Sequence, residues 1–190
     1  MTIRAGALLV DPPWSWKARS SKGDGRSACQ HYSVMSLDDL KAYPPVFEMA
    51  AADSWLFLWV VSSMLPAGLE VMRAWGFEYS STAFVWVKQN KAGDGFVTGM
   101  GMTTRKGAEI CLLGKRGSPR IRAHDVRELI ISPRREHSRK PDEQYERIER
   151  LCDGPYVELF ARQRRHGWIS LGDEIDRFTQ SAAAIEEVLS

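Results

Sequence analysis

The sequence predicts an open, doubly wound α/β sheet that is mostly parallel and carries helices on both faces. Short runs of consecutive apolar residues recur along the chain, as expected of parallel strands that are covered on both faces. Segments with helical composition and capping signals lie between several of these runs. The 190 residues suffice for one hydrophobic core, and no repeat or linker divides them. We therefore expect one domain over residues 1–176, followed by a tail over 177–190 that could form a short helix.

Seven strands are predicted from the apolar runs, at Ala7–Val10, Trp55–Val61, Thr82–Lys88, Glu109–Leu113, Leu129–Ser132, Tyr156–Phe160 and Trp168–Leu171. Ser36 begins a first helix with the capping pattern Ser-Leu-Asp-Asp. A second helix covers Met64–Trp75 and is closed by Gly76. The third helix covers Pro141–Leu151, with proline in its first turn and acidic residues near its positive end. The Gly-rich segment Gln89–Thr104 is expected to be a mobile flap at the active site.

The composition indicates a globular protein of the cytoplasm, since 44% of the residues are hydrophobic and 26% are charged. The longest apolar run is far shorter than the roughly 20 residues that span a bilayer, and the N-terminus lacks a signal-peptide pattern, so no membrane association is expected. Cys29, Cys111 and Cys152 are odd in number and far apart, which argues for a reducing compartment. Without a Cys-x-x-Cys pair or a His-Glu-x-x-His motif, no protein-bound metal is expected.

The positive charge is concentrated in one part of the chain, although the net charge is only +2. Between Lys115 and Arg165 there are 14 basic against 9 acidic residues, which leaves 12 against 15 elsewhere. Some of these charges belong to solvated helix faces. Others lie in turn-like sequence, where a phosphate backbone is the more natural partner, and these form the clusters Arg134-Arg135, Arg139-Lys140 and Arg162, Arg164, Arg165. Nucleic acid is therefore a candidate substrate.

An acidic corner follows the first predicted strand, in the sequence Asp11-Pro12-Pro13-Trp14. Ligands of α/β sheets bind at the carboxyl ends of the strands, where Asp11 falls. A carboxylate at Asp11 and the carbonyl of Pro12, aimed by two rigid prolines, could accept both N–H bonds of an adenine amine. Trp14 could offer a stacking surface for a base that has left its helix. The alternative is an ordinary strand-end turn with a capping aspartate and a core tryptophan.

These residues and five further motifs together resemble the MT-A70-like family of N6-adenine methyltransferases. The further motifs are His31–Ser36, Leu56–Val60, Val85–Lys88, Ser138–Glu143 and Glu158–Arg162, so the resemblance extends from about Ala7 to Ile175. The family includes the catalytic subunit of the messenger-RNA adenine methyltransferase and short bacterial and phage DNA adenine methyltransferases. The resemblance implies a Rossmann-like, S-adenosylmethionine-dependent methyltransferase domain. Its motif order is circularly permuted, because the Asp-Pro-Pro-Trp tetrad precedes the Glu-Leu-Phe strand.

The resemblance also assigns roles to residues of this chain. Asp11, Pro12, Pro13 and Trp14 would be catalytic, with DNA favoured over RNA as substrate. Lys140 would lie near the methionine carboxylate of the cofactor, and Glu158 and Arg162 around its ribose. The remaining cofactor contacts would come from Asp11, Leu159, Phe160, Asp173 and Glu174. The resemblance places Tyr32 in the loop that meets the target base, although Tyr32 could equally pack against Trp14. From the residues themselves we also expect the substrate to be met by Trp14, Lys88, Arg134, Arg135, Arg164 and Arg165.

Two departures from the family pattern leave alternatives open. Gly172-Asp173-Glu174 stands where the family usually has Gly-Asn-Glu or Gly-Asn-Gln, so an amide donor to the cofactor's adenosine is lost. Only ten residues precede Asp11, whereas larger members place part of the adenine pocket upstream of that point. The alternatives are a catalytically silent nucleic-acid-binding scaffold, or an enzyme acting on RNA or a free small molecule. The protein could also dimerise or recruit a partner subunit to grip its substrate.

Overall fold

The computed structural model describes residues 3–15, 35–99, 101, 103–135 and 139–176. Its strands are β1 (Ala5–Val10), β2 (Ala50–Val60), β3 (Glu78–Gln89), β4 (Ala108–Arg116), β5 (Leu129–Pro133), β6 (Tyr156–Leu159) and β7 (Trp168–Leu171). Its helices are α1 (Leu37–Lys41), α2 (Pro44–Met49), α3 (Leu65–Ala74) and α4 (Glu143–Leu151), with a 3₁₀ turn at Ser62–Met64. The seven predicted strands are confirmed, and β2 and β3 extend several residues further toward their N-termini than the apolar runs indicate.

The strands form one seven-stranded sheet in the order β5-β3-β4-β2-β1-β6-β7. Four of the six neighbouring pairs are parallel, and β4 is antiparallel to both of its neighbours. This confirms the mostly parallel α/β sheet. Because β4 runs against the others, its first residues lie at the same edge of the sheet as the carboxyl ends of β1, β2 and β3. The first residues of β4 and the last residues of β1, β2 and β3 therefore meet at one edge of the sheet.

Helices cover both faces of the sheet, as predicted. Alternating residues of β1 face opposite sides, with Leu8 and Val10 in one core and Ala7 and Leu9 in the other. On the first side the buried residues of α1, α2 and α3 complete the core, and these include Leu40, Val46, Val71 and Met72. On the second side α4 contributes Tyr145 and Ile148 against the aromatic residues Phe57, Trp59, Phe84 and Trp86. Among the described residues no helix has both the length and the apolar composition needed to cross a bilayer.

The helix boundaries follow local capping chemistry. The Ser36 hydroxyl accepts from the Asp39 amide at 3.1 Å, so the predicted cap of α1 is confirmed. Helix α3 ends before Gly76, whose φ of +79° provides the left-handed turn. Helix α2 was not predicted. It is only six residues long and opens with two prolines and no side-chain cap, so its sequence carries little helical signal.

The Gly-rich segment after β3 is a pair of short antiparallel bridges. Gln89 bridges to Phe96, and Gly99 bridges to Lys106 with hydrogen bonds in both directions at 2.7 and 3.1 Å. The segment therefore extends the β3–β4 hairpin over the edge of the sheet that carries Asp11. The flap prediction concerns motion and stays a prediction. The tail over 177–190 and Tyr32 lie outside the described residues.

Candidate active site

The acidic corner lies at the carboxyl end of β1, and its backbone is fixed by internal hydrogen bonds. The Trp14 amide donates to the Pro12 carbonyl at 2.8 Å, and the Met35 amide donates to the Pro13 carbonyl at 3.0 Å. Pro12 is buried and Pro13 is half-buried, while the Asp11 side chain is 26% exposed. The Pro12 carbonyl was predicted as a free acceptor for an amine. One of its two lone pairs is already engaged, which leaves the second for a ligand.

Trp14 occupies a different place from the one predicted. Its side chain is 5% exposed and belongs to the core beneath the corner. Its indole N–H donates to the carbonyl of Trp59 at 2.9 Å. In this arrangement the ring is covered by protein, so it supports the Asp-Pro-Pro turn and does not offer an open face to a base. The core-tryptophan alternative therefore describes the observed position of Trp14.

A row of four alternating charges connects the corner to β3 and β4. Lys140 Nζ lies 2.6 Å from Asp11 Oδ2 and 3.2 Å from Glu109 Oε2. The other oxygen of Glu109 contacts the ammonium of Lys88. Lys140 is 9% exposed, and its ammonium lies 5.4 Å from the centre of the Trp59 ring. The lysine predicted beside a cofactor carboxylate is thus held, without ligand, by two protein carboxylates.

The row of charges favours the ionised forms of Lys140 and Glu109. Burial disfavours the charge on Lys140, but Asp11 and Glu109 outweigh it and raise the pKa of the ammonium. Burial likewise opposes the charge on Glu109, and Lys140 and Lys88 overcome it to lower the pKa of that carboxyl. Asp11 therefore faces a permanently charged ammonium.

A second acidic group lies on β6, directly beside β1. Glu158 is opposite Leu9 in the parallel register, and its side chain is 8% exposed. The Tyr145 hydroxyl of α4 donates to both carboxylate oxygens, at 3.0 and 3.1 Å. Burial raises the pKa of Glu158 to about 8, with Tyr145 acting against that rise and Asp11 adding to it.

One cleft connects these groups. A cavity of about 30 Å³ is lined by Asp11, Lys140, Glu158, Phe160, Arg162 and six neighbouring residues of β1, β2, the α4 region and the loop after β6. A second cavity of about 300 Å³ shares Asp11, Phe160 and Arg162 with the first and adds Asp173 and Glu174. Asp11 borders both halves. Seven of the eight predicted cofactor-binding residues therefore line a single cleft.

Leu159 is the exception, because its side chain does not line the cleft. Successive residues of a strand face opposite sides, so Glu158 faces the cleft and Leu159 enters the opposite core, where it is 1% exposed. The chain then turns sharply at Phe160, whose φ of +58° is unusual for a residue with a side chain. Such strained conformations concentrate at functional sites, and this one brings Phe160 into both cavities.

The segment after β7 closes the second cavity. A Cβ at Gly172 would lie 2.6 Å from the Ala161 nitrogen and 2.9 Å from the Phe160 carbonyl carbon, so only glycine fits there. Arg162 Nε lies 3.6 Å from Glu174 Oε2, which ties this segment to the end of β6. Asp173 is exposed at the rim of the cavity.

The basic residues predicted to contact substrate are divided by the fold. Lys88 lies in the row of charges, and Arg134 is exposed beside it, with its amide bonded to the Gln89 carbonyl at 3.0 Å. Arg135 pairs with Asp142 at 2.7 Å near the start of α4. Arg164 and Arg165 lie further along the loop to β7, paired with Asp176 at 3.2 Å and Glu149 at 3.3 Å. The structure thus brings Lys88 to the acidic corner and places the arginines around it at a distance.

Sequence reasoning missed Glu109, Tyr145 and Trp59 as site residues. Glu109 is an acid at one end of an apolar run, which is the same signal that identified Asp11. Glu109 was missed because it lies at the start of its run. The first residue of a strand reaches the carboxyl edge of a parallel sheet only when that strand is antiparallel to its neighbours, as β4 is. Tyr145 lies inside the predicted third helix and Trp59 inside the second predicted strand, and nothing in their spacing distinguishes a cleft-lining aromatic residue from a core one.

Comparison with known proteins agrees with this geometry. The model of the MT-A70 family matches residues 6–174. An Arabidopsis thaliana protein named N(6)-adenosine-methyltransferase MT-A70-like is 30% identical over 175 residues, which cover 90% of this chain and 24% of that protein. Human METTL3, an N(6)-adenosine-methyltransferase catalytic subunit, is 31% identical over 175 residues, covering 89% of this chain and 28% of METTL3.

A third relative is closer in length. The type II methyltransferase M.MunI of a Mycoplasma species is 30% identical over 187 residues, covering 88% of this chain and 76% of that protein. The chain therefore spans less than a third of the plant and human relatives and about three quarters of M.MunI. With the matched residues reaching from before the acidic corner to the end of the cleft, this chain belongs to the MT-A70 family.

Proposed function

We propose that this protein is an S-adenosylmethionine-dependent methyltransferase that modifies the N6 amine of adenine in nucleic acid. The observation that carries the proposal is the position of Asp11, which borders both halves of a cleft lined by the residues expected to hold the cofactor. A carboxylate there can face an amine on one side and a methyl donor on the other. The names of the plant and human relatives support an adenosine target.

The residues of the cleft fit the chemistry of the cofactor. When bound, S-adenosylmethionine supplies an electrophilic methyl group on a positively charged sulfur. Lys140 offers a cation for the methionine carboxylate, and the carboxylate of Glu158 offers acceptors for ribose hydroxyls. The Asp11 side chain, which borders both cavities, would favour the positive charge of the bound cofactor. Phe160 supplies an apolar wall, and the rim at Asp173 has an acceptor where the family usually has an amide.

For the adenine amine, the acidic corner acts by orientation. Asp11 can accept one N–H bond, and the free lone pair of the Pro12 carbonyl can accept the second. Two acceptors aimed at one nitrogen draw its hydrogens away from the ring plane and turn its lone pair toward the methyl donor. Because the amine loses its proton after transfer, Asp11 need not be a strong base.

We propose DNA as the polymer, with RNA as the second candidate. The match to M.MunI, a type II methyltransferase, covers 76% of that protein, and the family that this chain resembles includes short bacterial and phage DNA adenine methyltransferases. Lys88 in the row of charges and Arg134, exposed after the end of β5, provide cations for the backbone that flanks a flipped base. The chain could grip such a substrate as a dimer or with a partner subunit. A silent scaffold of the same fold is the alternative from another class, and the intact charged corner weighs against it.

The test incubates the protein with tritiated S-adenosylmethionine and matched DNA and RNA oligonucleotides, then digests the products to nucleosides. We expect label in N6-methyladenine from DNA, and its complete loss in Asp11→Asn. Asp125→Asn is the matched control, because Asp125 pairs with Arg150 on the surface at 68% side-chain exposure, outside the cleft. Label in RNA alone would transfer the proposal to RNA. Undiminished labelling by Asp11→Asn, or no labelling by the wild type, would overturn it.

A further inference from the structure

A phenol meets a carboxylate at the back of the cleft in a geometry that the proposed chemistry does not yet use. The Tyr145 hydroxyl lies 3.0 Å from Glu158 Oε1 and 3.1 Å from Oε2, so it bridges both oxygens from the side of α4. Tyr145 is 2% exposed and Glu158 is 8% exposed. Both also line the smaller of the two cavities that form the cleft. The Glu158 carboxyl group is therefore held from the side of α4 by a neighbour that shares its cavity.

The ring of Tyr145 is itself held by two neighbours. Its ring meets Trp168 edge to face, with centroids 5.1 Å apart at 80°, and the Arg165 guanidinium lies 4.5 Å from its centre. The Trp168 indole in turn donates to Glu149 at 2.6 Å, and Arg165 pairs with the same carboxylate at 3.3 Å. A phenol fixed in this way cannot follow the carboxylate, so the carboxylate must align with the phenol.

We propose that Tyr145 is a positioning residue that orients the carboxylate of Glu158 to receive the two ribose hydroxyls of the cofactor. This inference rests on the proposed function. A carboxylate fixed with both oxygens facing the cleft can accept one hydrogen bond from each of two adjacent hydroxyls, whereas a freely rotating one loses entropy on doing so. The sequence gives no hint of this role, since Tyr145 reads as part of the apolar face of α4.

The bridge also acts on the protonation of Glu158. The charges that face it are Asp11 from β1, Asp142 from the start of α4 and Arg165 from the loop before β7. Burial raises the pKa of Glu158 to about 8, and the bond from Tyr145 opposes that rise because it stabilises the ionised form. Removing the hydroxyl therefore raises the pKa further. A carboxyl that keeps its proton has one acceptor oxygen fewer for the ribose.

The test compares the wild type with Tyr145→Phe, which removes the hydroxyl and keeps the ring. The first readout is the titration of the Glu158 carboxyl by carbon NMR in the ligand-free protein, and the second is calorimetric binding of S-adenosylhomocysteine between pH 6 and pH 9. In Tyr145→Phe we expect the Glu158 titration to move upward by roughly one pH unit and binding at neutral pH to weaken about tenfold. The pH at which the affinity for S-adenosylhomocysteine increases should shift upward by the same amount.

Two further variants separate positioning from simple packing. Tyr156→Phe is the matched control, because the Tyr156 hydroxyl donates to the Cys152 carbonyl at 2.8 Å and its ring also stacks on Trp168, at 5.0 Å, outside the cleft. It should leave both readouts unchanged. In a Glu158→Gln background nothing titrates at this position, so Tyr145→Phe should no longer shift the pH dependence.

The outcomes distinguish this inference from the proposed function. If the wild type fails to bind S-adenosylhomocysteine, the proposed function is wrong. If the wild type binds but Tyr145→Phe leaves the titration and the affinity as they are, the positioning role alone is wrong. Weaker binding by an equal factor at every pH, with an unmoved titration, would also overturn it, because that is the result of lost packing.

Discussion

Replacing Glu109 with glutamine keeps the shape of the side chain and removes the one carboxylate that contacts both Lys88 and Lys140. Both of its lysine partners are less than one fifth exposed, as is Glu109 itself. At the 3.2 Å that separates Lys140 Nζ from Glu109 Oε2, the attraction is about 5 kcal/mol for an effective dielectric constant near 20. Desolvation cancels part of this energy, and Lys140 retains Asp11, so we expect a net loss of roughly 2–4 kcal/mol in the free energy of unfolding.

Urea unfolding followed by tryptophan fluorescence at pH 7.5 measures this loss, and thermal unfolding should show a decrease of roughly 5–15 °C for a chain of this length. Glu78→Gln is the matched control. Glu78 lies on β3 opposite Lys115 of β4, with its carboxylate 3.5 Å from that lysine and 77% exposed. A surface pair of this kind contributes at most about 1 kcal/mol. Equal unfolding midpoints for Glu109→Gln and Glu78→Gln would refute the reasoning.

The stability of Glu109→Gln should also depend on pH differently from that of the wild type. The two lysines lower the pKa of Glu109 in the folded protein below its ordinary value of 4.5, although burial acts in the opposite direction. The stabilisation by Glu109 is therefore complete above pH 4.5 and is lost as the pH falls through the lower, folded-state pKa. The difference in stability between the wild type and Glu109→Gln should be constant from pH 6 to 8 and should narrow below pH 4.5. A difference that widened on acidification would contradict the assigned ion pairs.

Two other substitutions probe the supports of the cleft. Gly172→Ala places a methyl group against the Phe160–Ala161 backbone, so we expect a loss of about 1–3 kcal/mol in stability and markedly weaker binding of S-adenosylhomocysteine by calorimetry. Unchanged affinity would show that binding does not depend on the close contact between Gly172 and the Phe160–Ala161 backbone. Trp14→Phe removes the donor to the buried Trp59 carbonyl and should cost about 1–3 kcal/mol in urea unfolding. If Trp14→Phe were as stable as the wild type yet inactive, the stacking role first predicted for Trp14 would regain support.

The sheet was predictable because a strand that is buried on both faces is apolar along its length. Such a run can be located in the sequence without knowing which strands pair with it. β1 and the central part of β2 are apolar along their length, and each was located from this feature alone. Asp11 was identified because a carboxylate at the end of such a run has no local use. The helix α2 and the direction of β4 were not predictable, since the first is short and the second depends on which neighbours β4 finds.

The sequence predicted only those site residues that can be recognised individually from a motif. The resemblance indicated Lys140 and Glu158, but their partners Glu109 and Tyr145 come from distant sequence and are fixed by packing. The motif that places Leu159 beside Glu158 and Phe160 consists of consecutive residues, whereas strand alternation divides their side chains between two faces. Arg164 and Arg165 were assigned to phosphate from their composition, and the fold supplies each with a carboxylate.

A crystal structure with S-adenosylhomocysteine bound tests the central claim most directly. The account predicts the amino-acid carboxylate of the ligand at Lys140, its ribose hydroxyls on the carboxylate of Glu158, and its sulfur facing Asp11. Displacement of Lys140 from Asp11 toward the ligand would agree with this arrangement. A ligand bound elsewhere, such as the surface depression near Phe47 and Arg116, would contradict it.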